Sequence, residues 1–172
     1  AGIAVVITLS AVYAQLVMKF TTAQTITLIL VVNITAAIGA FVFGYVQDRL
    51  GHKKTLALTI LLWIIMGVMA AFSHGPVSFW IAANIAGIAM GSSQSAGRAV
   101  VAVFAPAGEL AQFYSAWNVA VWGANVLGPI TYGTVTWLTS GDQRTAILVT
   151  TLFFVIGLLI LRRVHLPSKT VC

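Results

Sequence analysis

Apolar residues run through this chain in six long stretches, at about 2–18, 24–46, 55–73, 78–98, 112–138 and 144–161. The breaks between them are short and hold the turn residues and charges: Lys19, the loop around Asp48, His74-Gly75-Pro76, Pro106-Ala107-Gly108-Glu109 and Ser140-Gly141-Asp142. A helix needs about 20 mostly apolar residues to cross the hydrocarbon core, and backbone in lipid is satisfied only within helices or closed barrels. The pattern predicts an all-α integral membrane protein. Its six transmembrane helices occupy residues 1–163, followed by a short cytoplasmic tail at 164–172.

Charge gives this bundle a direction. Arg49, Lys53, Lys54, Arg98, Arg162, Arg163 and Lys169 fall on one side of the predicted spans, and only Lys19 and Arg144 on the other. Bases are retained on the cytoplasmic side, so both termini are expected there. Of 172 residues, 60% are apolar and 7% charged, against about 25% charged in soluble domains. So few charges cannot cover a water-facing surface, and the lipid bilayer is the expected surrounding. The net charge of +6 does not indicate nucleic acid, because the bases form no patch with interleaved aromatics. They sit at the ends of apolar runs, opposite anionic headgroups. The one cysteine, Cys172, is terminal, which excludes an internal disulfide and does not make a prenylation signal. The first run lacks a basic n-region and a clear cleavage site. An opening of Ala1-Gly2-Ile3 without Met leads us to expect a chain that starts inside a longer protein.

Polar residues inside the spans mark faces that lipid would not tolerate. The first span carries Thr8, Ser10, Tyr13 and Gln15. The second has Ala36, Ala40 and Gly44 at four-residue spacing, a face that lets another helix approach closely, and Asn33 as a mid-membrane amide suited to interhelical bonding. The third is plain, with Trp63 expected toward lipid, and the sixth is uniformly apolar up to Arg162-Arg163. Trp80 and Trp137 lie where interface anchors lie. The fourth span is the most informative. Gly87 and Gly91 form a close-packing pair, and Asn84, Ile88, Gly91, Ser95 and Arg98 share one helical face. That face reads either as a cavity wall ending in a fixed positive charge, or as interface with Arg98 paired to Asp48 or Glu109. The fifth span repeats the spacing with Asn118, Trp122, Asn125 and Pro129, and Pro129 bends a helix relieved by Gly123, Gly128 and Gly133.

Catalytic chemistry is not in evidence. An intramembrane serine nucleophile needs a histidine base within reach, and His52, His74 and His165 all fall in loops or the tail. No Cys/His cluster resembles a metal site, and no glycine loop has the strand–turn–helix setting that binds a nucleotide. The chain is therefore read as a non-enzyme without cofactor or metal. No acid lies within a span, so a proton-coupling group is expected outside this chain, or transport is not proton-driven.

The stretch Gly44-Tyr45-Val46-Gln47-Asp48-Arg49-Leu50-Gly51-His52-Lys53-Lys54 fits Gly-x-x-x-Asp-Arg-x-Gly-x-Lys/Arg-Lys/Arg. It resembles the signature between the second and third helices of each half of major facilitator superfamily transporters. Gly91-x-x-Gln94-x-x-x-Arg98, then Phe113-Tyr114-Ser115, then Gly128-Pro129 resemble the C-terminal half of the autophagy-twenty-two-like vacuolar effluxer family. Gln112 stands where that family usually has an acid, and Gly97 where a serine usually precedes the arginine. The resemblance implies spans seven to twelve of a twelve-helix bundle, and a secondary transporter that exports a small solute, amino acids in fungal members. It implies a substrate near the midplane between two rocking halves, with Tyr13, Gln15, Asn84, Ser92, Gln94, Ser95, Asn118 and Asn125 as cavity candidates. Gly44, Asp48, Arg49, Gly51, Lys53, Lys54 and Arg98 would form the gating loop, with Asp48 as its latch, and Gly128 and Pro129 the helix bend. The partner would be a second six-helix half: a missing N-terminal half, a separate chain or a second copy. The membrane would be the inner one in a bacterium and the vacuolar one in a fungus. A non-transporting membrane scaffold or degenerate half-transporter fragment is the competing reading.

Overall fold

The computed structural model describes residue 15 and residues 19–164 except 74 and 107. Five long helices account for most of them: α1 (Thr22–Leu50), α2 (His52–Ala71), α3 (Pro76–Phe104), α4 (Leu110–Leu138) and α5 (Gln143–Arg163). Local chemistry sets their ends. Thr21 and Gln24 form a reciprocal capping box at the start of α1. Gly51, at φ 82°, lets the chain turn after Leu50 so that α2 starts one residue later. Pro76 opens α3, where its missing N–H costs nothing. Asp142 caps α5 by accepting from the N–H of Arg144. The Thr145 hydroxyl, then the backbone N–H groups of Arg144 and Thr145, hold that carboxyl below its ordinary value.

Helices α1, α2 and α5 are apolar and long enough to cross a membrane. Helices α3 and α4 are longer than α2 and α5, but they carry the polar residues. Cross-links fix which ends lie together. Lys53 Nζ donates to the carbonyls of Arg162 at 3.0 Å and Val164 at 2.7 Å, so a base at the start of α2 satisfies the negative end of α5. At the opposite end, Arg144 donates to Ser73 O at 2.9 Å. Arg49, Lys53, Lys54, Arg162 and Arg163 thus share one end of the bundle, and Lys19 and Arg144 the other.

The most extensive packing is between α1 and α3, where glycines remove the space between backbones. A Cβ on Gly91 would fall 1.8 Å from Ala36 O, and one on Gly39 would fall 2.6 Å from Ile88 O. Gly87 lies as close to Val32 and Thr35. Small residues give such proximity in membranes, where lipid is as apolar as the helices and packing must drive association. Helix α2 lies against both α3 and α5, and α4 touches α5 and α3.

Three expectations are corrected. Trp63 does not face lipid: it is 1% exposed, stacks on Phe154 with centroids 5.2 Å apart, and donates to Ser93 Oγ at 3.3 Å. Helix α5 is not uniformly apolar in its role, because Thr150 and Thr151 are buried and Thr151 fills the space left by Gly67. Asn33 is exposed and bonds back to Ile29 O at 2.8 Å rather than across helices. An amide without a facing partner returns to its own backbone.

Candidate functional site

Helix α3 runs on to Phe104, because Ala99–Phe104 is apolar and unbroken before Pro106. Arg98, read from the sequence either as a cavity-wall charge or as an interface residue, lies six residues before the end of its helix. It is exposed. Its guanidinium pairs with neither Asp48 nor Glu109, and its backbone carbonyl accepts from the Tyr114 hydroxyl at 3.0 Å.

Glycines place this part of α3 between two neighbours. Gly91 meets α1 at Ala36 and Ala40, and a Cβ on Gly97 would fall 2.7 Å from Trp117 Cη2 of α4. That ring accounts for glycine at position 97, since a serine there would collide with it. At 3.6 residues per turn, Gln94 projects about 60° from each of these two contact directions, into the gap between α1 and α4. Gln94 and Arg98 are the exposed polar side chains of that strip.

Helix α4 contributes from the other side. Arg98 follows Gly97, and Asn118 follows Trp117; on antiparallel neighbours these steps turn to the same side of the seam. The Tyr114–Arg98 bond lies on that side. Asn118 and Asn125 are exposed, and with Gln94 their amides are unpartnered among the described residues. Amides without partners are costly in hydrocarbon. This face is built for water, a solute or more protein.

The other cavity candidates are placed differently. Ser92 is fully buried, its hydroxyl on Ala89 O at 3.2 Å. Asn84 is half-buried and donates to Trp80 O at 2.8 Å, and Ser95 is half-buried on the same helix. Gln15 is helical and exposed, while Tyr13 lies outside the described residues. Gly128 is buried and Pro129 half-buried inside α4.

In the charged loop the groups divide. Arg49 lies over the Tyr45 ring at 4.7 Å and donates to its hydroxyl at 2.8 Å. Lys53 holds the end of α5, Lys54 is exposed, and Gly44 is half-buried with open space beside it. Buried Gln47 bonds to His52 across the turn. Asp48 is exposed and has no partner among the described residues. Two tyrosines escaped the sequence reading of sites: Tyr45 and Tyr114 look aromatic in a pattern of apolar residues, and only their hydroxyl partners reveal them.

A family model described as "Vacuole effluxer Atg22 like" matches residues 1–171. The chain is 27% identical over 169 residues to an uncharacterised MFS-type transporter of Bacillus subtilis (strain 168), YxiO, covering 98% of this chain and 39% of that protein. Among solved structures, the xylose transporter XylE of E. coli in an inward-open conformation aligns with a TM-score of 0.79 at 19% identity, over 96% of this chain and 44% of that one. The proton:xylose symporter XylE bound to 6-bromo-6-deoxy-D-glucose, a major facilitator superfamily protein, aligns at 0.77 and 19%. The chain thus spans about two fifths of the lengths of these relatives, and its helices are arranged as in one half of that fold.

Proposed function

The chain belongs to the vacuole effluxer Atg22-like family, a family of membrane transporters rather than enzymes, and on that premise we propose that it forms the C-terminal six-helix half of a secondary transporter. The sixth span is the one expected from the sequence at residues 2–18, which lie outside the described residues except for Gln15. The excess of bases at one end sets both termini in the cytoplasm, in the inner membrane of a bacterium or the vacuolar membrane of a fungus. The half moves a small solute by rocking against a second half across a midplane site. The observation that carries this reading is the polar strip of Gln94, Arg98, Asn118 and Asn125 in the gap between α1 and α4, whose side chains have no partner among the described residues. Gln15, Asn84 and Ser95 extend the wall at its margins. Ser92, enclosed and bonded within α3, supports the wall from behind. Asp48, without a partner among the described residues, latches the cytoplasmic side by meeting the second half.

Water access tests this without knowing the solute. In a Cys172→Ser background with both halves present, Gln94→Cys and Asn118→Cys should react with a membrane-impermeant maleimide, whereas Leu61→Cys, on the exposed apolar face of α2, should not. Asp48→Asn should increase labelling from the cytoplasmic side. If positions 94 and 118 are as unreactive as 61, the strip faces lipid or sealed protein, and the transporter reading is lost.

A further inference from the structure

The strip has a sign. Among the described residues, α3 and α4 present one guanidinium, three amides and a tyrosyl hydroxyl toward the gap, and no carboxylate. The acids Asp48, Glu109 and Asp142 all sit at or beyond helix ends. Arg98 is exposed, six residues before the end of α3, with no counter-ion among the described residues. Its planar guanidinium fork is shaped for two parallel bonds to a carboxylate or phosphate. Tyr114 fixes the α3 backbone at Arg98, and Gln94, one turn away, can donate to the same anion from its unpartnered amide. An amino-acid substrate would also bring an ammonium group, for which this wall supplies no carboxylate.

We propose that Arg98, with Gln94 and Asn118, forms the recognition site for the anionic oxygen group of a transported organic anion, a small solute whose net charge is negative rather than zero. This rests on the transporter reading above and narrows it to a substrate class. Arg98 is the anchoring charge, and the amides orient the bound group.

The probes are lactate, glycerol 3-phosphate, leucine and xylose, tested on the purified carrier with both halves present. Thermal unfolding in detergent measures binding, and counterflow in vesicles measures transport. Lactate or glycerol 3-phosphate should raise the unfolding temperature, the better of the two separating carboxylate from phosphate recognition. Arg98→Gln should weaken that effect about tenfold or more, as expected for loss of a charged hydrogen-bonding partner. Arg98→Lys should restore it only in part, and Arg163→Gln, at the end of α5, should leave it unchanged. Unaltered leucine or xylose transport in Arg98→Gln overturns the anion site and leaves the transporter reading standing. A carrier stabilised by neither anion, or equally by both in wild type and Arg98→Gln, also overturns it. Should Arg98→Gln fail to fold, Gln94→Leu must weaken anion binding, and an unchanged response there is equally decisive against the site.

Discussion

Replacing Gly91 with alanine adds one methyl group at the closest approach of α1 and α3. On the observed backbone that carbon falls 1.8 Å from Ala36 O, 2.7 Å from Ala36 C and 3.0 Å from Ala40 N. Carbon contacts are comfortable at about 3.5 Å or more, so the helices must part by roughly 1.5 Å. The obstacle is backbone and cannot rotate aside. Parting also opens the contact of Gly39 with Ile88, so one methyl loosens the whole seam. Overpacking costs about 1–3 kcal/mol, and this site belongs at the upper end, about 3 kcal/mol. Gly123→Ala supplies the opposite sign. Gly123 is exposed with nothing within 4 Å of its added carbon, and removing a glycine from a helix interior stabilises by about 0.5–1 kcal/mol. Equilibrium unfolding in mixed micelles, with denaturing detergent as the titrant, compares the two variants with wild type. If Gly91→Ala is as stable as Gly123→Ala, the α1–α3 seam is not closed as described, and the reasoning fails.

Trp63→Ala empties the stack on Phe154 and removes the donor to Ser93, so the same titration should report a loss of about 3–5 kcal/mol. An unchanged midpoint would return Trp63 to the lipid face. The Asp142 carboxyl is held below its ordinary value chiefly by Thr145. Its contribution is therefore present at neutral pH, above the unfolded value of 3.8, and is lost as pH falls through the lowered folded value. Protection from amide exchange over residues 143–146, taken relative to the intrinsic rate at each pH, should fall upon such acidification, and Asp142→Asn should abolish that pH dependence. A pH profile indifferent to the substitution would remove Asp142 from the cap.

Small residues were the legible part of this chain. Ala36, Ala40, Gly87 and Gly91 have a geometric meaning whatever surrounds them, and the structure brings Gly91 onto both alanines. The one-residue turn at Gly51 was not legible, because the charges of Asp48, Arg49, Lys53 and Lys54 read as a loop between spans ending at 46 and starting at 55, whereas all four lie within helices. Trp63 was not, because a helix apolar all round gives no sign of which side meets lipid and which meets protein. Nor was the extension of α3 past Arg98, since nothing in Ala99–Phe104 distinguishes a helix that stops from one that continues. The face holding Asn84, Ile88, Gly91, Ser95 and Arg98 proved to serve two purposes. Its upper part packs on α1, and only the Arg98 end opens toward the gap, a division that helical spacing alone cannot make.

The single residue between α1 and α2 has a mechanical consequence. A linker of several residues would absorb a change in the tilt of one helix before it reached the next. Gly51 offers two dihedral angles, and its N–H is already spent on Gln47 O at 2.9 Å. Torque applied to α1 therefore passes undamped into α2, and through the Lys53 clasp to the far end of α5. Helices α1, α2 and α5 are thereby tied into one unit with α3 packed against them, while α4, which carries Pro129 inside a continuous helix, touches α3 and α5.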